Sequence, residues 1–452
     1  MEYIIDTPCG KIKGVDGRIE NTIAFKGIRY AIASRFEYPT LITKWDGIYD
    51  ATYYGNCSYQ PRSFYNEEEV KEKVFYYHEF RKGETYTYSE DCLFLNIWVH
   101  KDVKCDDKLP VLIYIHGGGY SGGCGHEKHF DGPAWVSKGV IGVTINYRLG
   151  PLGFACLKEL HDEAGHSGNY GLYDQLTAMK WVKDNISAFG GDPDNISIMG
   201  QSAGAMSVQH HCLSPLTDNI FNKAIMSSGG GVSKFFKSKK EEDTYAFWNE
   251  VKVRCGCQTL EEFKTVDVKI LFENWQKLKK EKKAGMIASP VIDNHFILDQ
   301  PFNTFNLGKA KKINYMIGAT SEDIFPVAIF PMAQDYASKQ EKDSYTYFFN
   351  RALPGDDNGA WHSSDLWYWF GTLENCWRPM EKKDYDLSDE MVTYLCNFVR
   401  CGNPNDDTHI LWNPSSSTNK SVLIMGEKPT QMNTVSKLKL LITSLTNKAV
   451  GE

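Results

Sequence analysis

The sequence predicts an α/β protein, a central and mostly parallel sheet flanked by helices, on three observations. Val111-Leu112-Ile113-Tyr114-Ile115 is an unbroken apolar, β-branched run, as expected of a strand buried on both faces. Asn195-Ile196-Ser197-Ile198-Met199 is a second β-prone run, followed at once by Gly200-Gln201-Ser202-Ala203-Gly204 and then by the helix-compatible Ala205-Met206-Ser207-Val208. Elsewhere β runs and helical patterns alternate, the sequence sign of parallel strands joined by helical crossovers.

The 452 residues, 42% of them hydrophobic, can bury a large core. No linker, low-complexity tract or repeat divides them, so residues 1–452 read as one domain. Formal net charge is -7, and the runs Lys237-Ser238-Lys239-Lys240 and Lys277-Leu278-Lys279-Lys280 are followed by glutamates. They read as solvated helix faces, and no nucleic-acid partner is expected. The opening Met1–Asp6 has neither a basic nor a long apolar stretch, and no run is long enough to span a bilayer. A cytoplasmic protein without membrane association is therefore expected. Twelve cysteines at irregular spacing fit packed thiols better than a disulfide scaffold.

In chain order, residues 1–60 alternate short β-prone runs such as Thr22-Ile23-Ala24-Phe25 with turns, which predicts antiparallel strands. The Val111–Ile115 strand ends in His116-Gly117-Gly118-Gly119-Tyr120, where three glycines free backbone N–H groups to point into a site. Gly139–Tyr147 is the next buried strand. Gly171 to Ile186 reads as an amphipathic helix whose Leu172, Leu176, Met179, Val182 and Ile186 pack in the core. In Gly200–Gly204 the serine sits at the apex of a strand, turn and helix start, and the glycines let the two backbones approach. A bulky residue at 200 or 204 should spoil that turn. Residues 234–283, charged and helical in composition, predict cap helices. Tyr315–Asp323 is a strand ending in acids, Tyr345–Phe349 is another strand, and Gly359-Ala360-Trp361-His362-Ser363 follows it.

Phe25–Ala31, Arg35-Phe36, Trp45-Asp46-Gly47, Ser89–Asn96, Asn169–Gln175, the H-G-G-G run and the G-x-S-x-G run stand in the order found in type-B carboxylesterases. These are the cholinesterase-like branch of the α/β-hydrolases, and the chain resembles their bacterial-type, short-cap members almost to its C-terminus. The resemblance implies an α/β-hydrolase fold, a small-molecule ester as partner, and hydrolysis through an acyl-enzyme without a cofactor. It implies Ser202 as nucleophile and His362 as general base and acid, with Asp365 and the aromatics behind it at the family's offsets. Asp323 is implied as the third member, because the family's catalytic carboxylate takes the second place of the Glu322-Asp323 pair. The order Ser, acid, His is that of α/β-hydrolases. By position in the same pattern, the N–H groups of Gly118, Gly119 and Ala203 form the oxyanion hole. Secreted members pair a cysteine at the place of Cys57 with one at the place of Cys92; two free thiols are expected here.

Three departures shape the expected substrate. Gln201 replaces the glutamate that cholinesterase-like enzymes commonly carry before the nucleophile, which removes a negative charge worth at most about 3 kcal/mol at about 6 Å and an effective dielectric near 20, an upper scale that reorganisation reduces. The Cys57–Cys92 loop holds no tryptophan to stack a choline; its aromatics include Phe64, Tyr65, Phe75, Tyr76 and Tyr77. His362 follows Asp323 by only 39 residues, which predicts a reduced cap and an open gorge. Gln201 is placed at the substrate pocket, and neutral carboxylic esters, short-chain or aromatic, are the expected substrates. Amides, carbamates or thioesters on the same triad are one alternative, and a non-catalytic cholinesterase-like binding protein is another. Cys124, His126 and His129 lack a complete ligand set, so no metal is expected. His210 and His211 are consecutive on a predicted helix and point about 100° apart.

Overall fold

The structure, a computed structural model, describes residues 2–234 and 236–446. Its large sheet contains β1 (Glu2–Thr7), β2 (Gly10–Asp16), β3 (Thr22–Arg29), β4 (Phe94–His100), β5 (Leu109–Ile115) and β6 (Ile141–Ile145). It continues with β7 (Gly191–Gln201), β8 (Lys223–Ser227), β9 (Asn314–Thr320), β10 (Tyr345–Phe349), β11 (Val422–Met425) and β12 (Gln431–Asn433). The spatial order is β1-β2-β3-β4-β6-β5-β7-β8-β9-β10-β11-β12, with the short Ile48–Asp50 strand beside β2. From β6 to β11 along this path every pairing is parallel. The expected antiparallel N-terminal strands are β1 to β3, which extend through β4 to the edge of the parallel region.

The period-two pattern of β5 shows how the sheet is covered. Val111, Ile113 and Ile115 face one apolar cluster with residues of the Tyr170–Asn185 and Ala203–Leu213 helices. Leu112 and Tyr114 face a second, with Trp367 and Trp369 of the Leu366–Phe370 helix and Leu395 and Phe398 of the Lys382–Cys401 helix. Both faces are thus dry, which is why the strand needs no polar alternation.

The Tyr170–Asn185 helix departs from the simple amphipathic picture. Four of the five expected apolar positions lie in it and the fifth, Ile186, opens the following turn; all five are buried, but so are Asp174 and Gln175. Arg148 closes a fork on Asp174, Nε to Oδ2 at 2.8 Å and Nη2 to Oδ1 at 2.7 Å, while Gln175 bonds Ser207 and His211. Polar residues that read as a solvent face are instead paired inside.

Within the 234–283 segment lie the helices Tyr245–Arg254, Leu260–Thr265 and Val268–Glu281. Asp267 caps the last of these, accepting from the N–H groups of Lys269 at 2.8 Å and Ile270 at 3.3 Å. Its Leu271, Phe272, Trp275 and Leu278 form one buried stripe. Phe272 packs on Phe64, ring centres 5.5 Å apart. No described helix is long and apolar enough to cross a membrane.

Candidate active site

Strand β7 runs through Gln201 and a helix begins at Ala203, so Ser202 makes the whole turn, with φ 55° and ψ -124°. An L residue reaches this region only when its surroundings impose it. Here the Ser202 N–H donates to the Ser227 carbonyl at the end of β8, 2.9 Å, and its own carbonyl accepts from Met206, 3.0 Å. A Cβ added to Gly200 would lie 2.3 Å from the Gly204 carbonyl, and one on Gly204 would lie 2.1 Å from the carbonyl oxygen of Ile115. Both glycines are therefore obligatory. Gly229, which carried no motif signal, is as confined: its Cβ would meet the Ser202 carbonyl oxygen at 2.5 Å.

The loop leaving β5 lies against this turn, since a Cβ on Gly117 would be 3.1 Å from Ser202 Cβ. Gly118 and Gly119 have φ of 106° and 60°. The Gly118 carbonyl accepts from the N–H groups of Ser121 and Gly122, which tightens the loop, while among the described residues no backbone carbonyl accepts from Gly118 or Gly119. Ala203 is the first residue of its helix, where an N–H has no partner in the helical ladder. The N–H groups of Gly118, Gly119 and Ala203 thus lie in two segments that pack against each other at the Ser202 turn.

The segments that follow β9 and β10 bring Asp323 to His362. Glu322 stitches the histidine loop in place: its N–H donates to the Ala360 carbonyl at 3.1 Å, and its Oε2 accepts from the Ala360 N–H at 2.8 Å. The next residue, Asp323, is fully buried and accepts from His362 Nδ1 at 2.6 Å and from the Ile324 N–H at 2.8 Å. Burial alone would raise its pKa, but the His362 charge, the His362 hydrogen bond and the bond from the Ile324 N–H outweigh it and hold the carboxyl below its ordinary value. Asp365, three residues beyond the base, is the opposite case. Burial raises its pKa further than the hydrogen bonds from Ser227 Oγ, 2.7 Å, and Tyr347 Oη, 3.0 Å, lower it, and the nearby Asp323 charge adds to the rise.

The other imidazole nitrogen is turned to Gln201. With Nδ1–H committed to Asp323, Nε2 is the acceptor, and Gln201 Nε2 donates to it across 3.1 Å. No hydrogen bond joins Ser202 Oγ to His362 Nε2 among the described residues. Gln201, expected at the substrate pocket, is buried against the base. The aromatics of the 57–92 loop cover the same place: in the Val74–Phe80 helix, Phe75, Tyr76 and Phe80 have ring centres 5.1, 5.8 and 5.7 Å from that of Trp361, and Tyr76 Oη donates to the His362 carbonyl at 3.5 Å.

Cys57 and Cys92 are both buried free thiols. Cys57 lies with Cys124 and His126, its sulfur 3.5 Å from His126 Nε2. His129 is not part of that group; it stacks on Phe80, ring centres 3.8 Å apart, and lies tilted against Phe130, 3.7 Å away. His210 and His211 are buried, and His211 bonds Gln175.

A mostly parallel sheet with a serine at a strained strand-to-helix turn, and an acid and a histidine delivered by later strand ends, is the architecture of an α/β-hydrolase. The chain belongs to the carboxylesterase family, whose sequence profile matches residues 1–346 and 324–441. It is 34% identical over 329 residues to the para-nitrobenzyl esterase of Bacillus subtilis (strain 168), and 32% identical over 324 residues to the fumonisin B1 esterase of Sphingopyxis macrogoltabida. These matches take in 71% and 70% of this chain and 63% and 55% of those proteins, so the chain spans less than two thirds of the length of these curated relatives. A solved PNB esterase superposes with a TM-score of 0.84 at 26% identity, covering 98% of this chain and 99% of that one.

Proposed function

We propose that the protein is a serine carboxylesterase acting on neutral carboxylic esters, short-chain or aromatic, through an acyl-enzyme. The observation that carries this reading is the Asp323–His362 pair, bonded across 2.6 Å and tied by Gln201 to the turn that carries Ser202, beside a glycine loop whose Gly118 and Gly119 N–H groups no backbone carbonyl takes among the described residues. Ser202 Oγ adds to the ester carbonyl as its proton passes to His362 Nε2. The N–H groups of Gly118, Gly119 and Ala203 receive the negative oxygen, and the proton then goes to the departing alcohol. Water, deprotonated at the same Nε2, releases the acid, while Asp323 keeps the imidazole in the tautomer that accepts. For the first step the Gln201 amide must give up its place on Nε2 to the serine hydroxyl.

The substrate class rests on neutral Gln201 before the nucleophile and on a 57–92 loop without tryptophan. Residues 234–283 act as a cap in this reading: Gly150, whose N–H bonds the Tyr120 carbonyl next to the glycine loop, lies under Phe272. The whole chain then forms one catalytic domain. A cytoplasmic location goes with twelve unpaired cysteines.

Hydrolysis of p-nitrophenyl acetate and butyrate by the wild type and Ser202→Ala, with intact mass after a fluorophosphonate probe, tests the proposal. Activity lost in the variant and one adduct on Ser202 are expected. A folded wild type with neither turnover nor adduct would favour a non-catalytic binding protein, a reading that the Gln201 bond to the base makes specific. Faster turnover of amides, carbamates or thioesters than of esters would reassign the substrate on the same triad.

A further inference from the structure

We propose that Cys57, Cys124 and His126 form a binding site for a thiophilic divalent cation, zinc foremost, which ties the loop carrying Gly118 and Gly119 to the Cys57 strand. The ligand atoms of the three residues all lie within 4.8 Å of one another. At Zn–S of about 2.3 Å and Zn–N of about 2.05 Å, a tetrahedral ion spaces a sulfur and a nitrogen about 3.6 Å apart. Cys57 Sγ stands 3.5 Å from His126 Nε2. The donor set is two sulfurs and an imidazole, which selects zinc over the oxygen-seeking magnesium, calcium or manganese.

The frame around the three residues is built by other side chains. Asn146, just beyond β6, accepts from the Gly125 N–H at 2.7 Å and donates to the Asn56 carbonyl at 2.9 Å. One amide thereby fixes the residue between Cys124 and His126 and the residue before Cys57. Gln60 clamps Gly123 on both sides, accepting its N–H at 2.9 Å and donating to its carbonyl at 3.1 Å. The His126 ring lies parallel to Tyr54, centres 4.6 Å apart and planes 10° apart, which fixes the direction of its ligand nitrogen. Such outer contacts orient ligands in built metal sites.

Charge points the same way. Glu127 is engaged by Arg62 at 2.8 Å and Arg81 at 3.4 Å, and Arg81 also holds Glu67 at 2.6 Å, so two arginines and two glutamates cancel. Two thiolates and one divalent cation are also neutral together, as a buried site requires. No fourth His, Cys, Asp or Glu joins the group among the described residues. Tyr86 packs beside it, ring centre 5.6 Å from that of His126, and its buried hydroxyl has no hydrogen-bond partner. The fourth position is left to that hydroxyl or to water.

The test uses the full chain, reduced and stripped with a chelator, then titrated with zinc or cobalt(II) alone. Metal analysis should give one zinc per chain, and cobalt should show tetrahedral visible bands with thiolate charge transfer. Cys124→Ser and His126→Gln should each weaken zinc by more than the about 10-fold to 100-fold that loss of an outer-shell partner produces. Zinc should raise the wild-type melting temperature and leave that of the folded variants unchanged; His126→Gln keeps the test open if the cysteine variant does not fold. Absence of stoichiometric binding, undiminished binding in either folded variant, or a Cys57–Cys124 disulfide under reductant would each overturn the proposal.

Discussion

The side-chain amide of Gln201 donates to Nε2 of His362 across 3.1 Å, on the nitrogen that takes the Ser202 proton in the proposed acyl transfer. A neutral donor therefore holds the base at rest where cholinesterase-like enzymes place a carboxylate. Gln201→Glu would put a negative charge beside the imidazole and stabilise its protonated form. The base would then become competent only at higher pH. The acid limb of kcat/KM against pH should move up by about one unit, equivalent to about 1.4 kcal/mol. A limb that stays put or moves down would show that residue 201 does not act on the base.

The two neighbouring acids should separate cleanly. Asp323→Asn preserves shape but presents an amide to Nδ1 and favours the wrong tautomer, so kcat should fall about 10⁴-fold. Glu322→Gln keeps an oxygen to accept from Ala360 and should lower kcat by roughly 10-fold or less, the scale of one hydrogen bond. Equal losses, read from single-turnover hydrolysis, would contradict the assignment of Asp323.

Gly204→Ala tests the turn itself. Its Cβ would need the space 2.1 Å from the Ile115 carbonyl oxygen, where only backbone can move. Overpacking of this kind costs roughly 1 to 3 kcal/mol, and the shift should also displace Ser202 and reduce kcat. Urea unfolding measures the first effect and ester turnover the second. A variant as stable and as active as wild type would mean that the strand and helix can separate freely.

Asp323 and Asp365 should show opposite pH signatures. The lowered pKa of Asp323 contributes stability above the ordinary carboxylate value, and that contribution is lost as pH falls through the folded value. The raised pKa of Asp365 means that the folded state keeps a proton that the unfolded state has released, so stability falls as pH rises from the ordinary value through the folded one. Asp365→Asn cannot suffer that loss. Its melting temperature relative to wild type should be more favourable at about pH 7 than at about pH 4, and an unchanged or reversed difference would refute the assignment.

What the sequence revealed was carried by local chemistry. The β5 run needed no partner to be recognised, Gly200–Gly204 encodes its own turn, and His362 is marked by the aromatics that follow it. What stayed hidden depends on pairings between distant segments. Asp174 and Gln175 resemble a wet helix face until Arg148, Ser207 and His211 meet them inside. Cys124 and His126 are an incomplete ligand set until the chain returns Cys57 to their side, and His129, next to them in sequence, packs among rings. Gly229 has no motif, because its constraint is the Ser202 carbonyl of a neighbouring element. The direction of the Gln201 amide is likewise set by where β10 delivers His362.

Strands β9 and β10 are immediate neighbours, paired from Met316 with Tyr345 to Thr320 with Phe349, and the pairing resumes where Glu322 meets Trp361. The distance between acid and base is thus measured by the spacing of adjacent strands, about 4.8 Å in any sheet, and not by the chain that connects them. Polypeptide spliced in between Asp323 and β10 therefore adds wall, roof or docking surface without recalibrating the separation of Asp323 and His362. For anyone reshaping this chain, that connection is the length to vary: what lies above the Asp323–His362 pair can be rewritten there while the pair keeps its ruler.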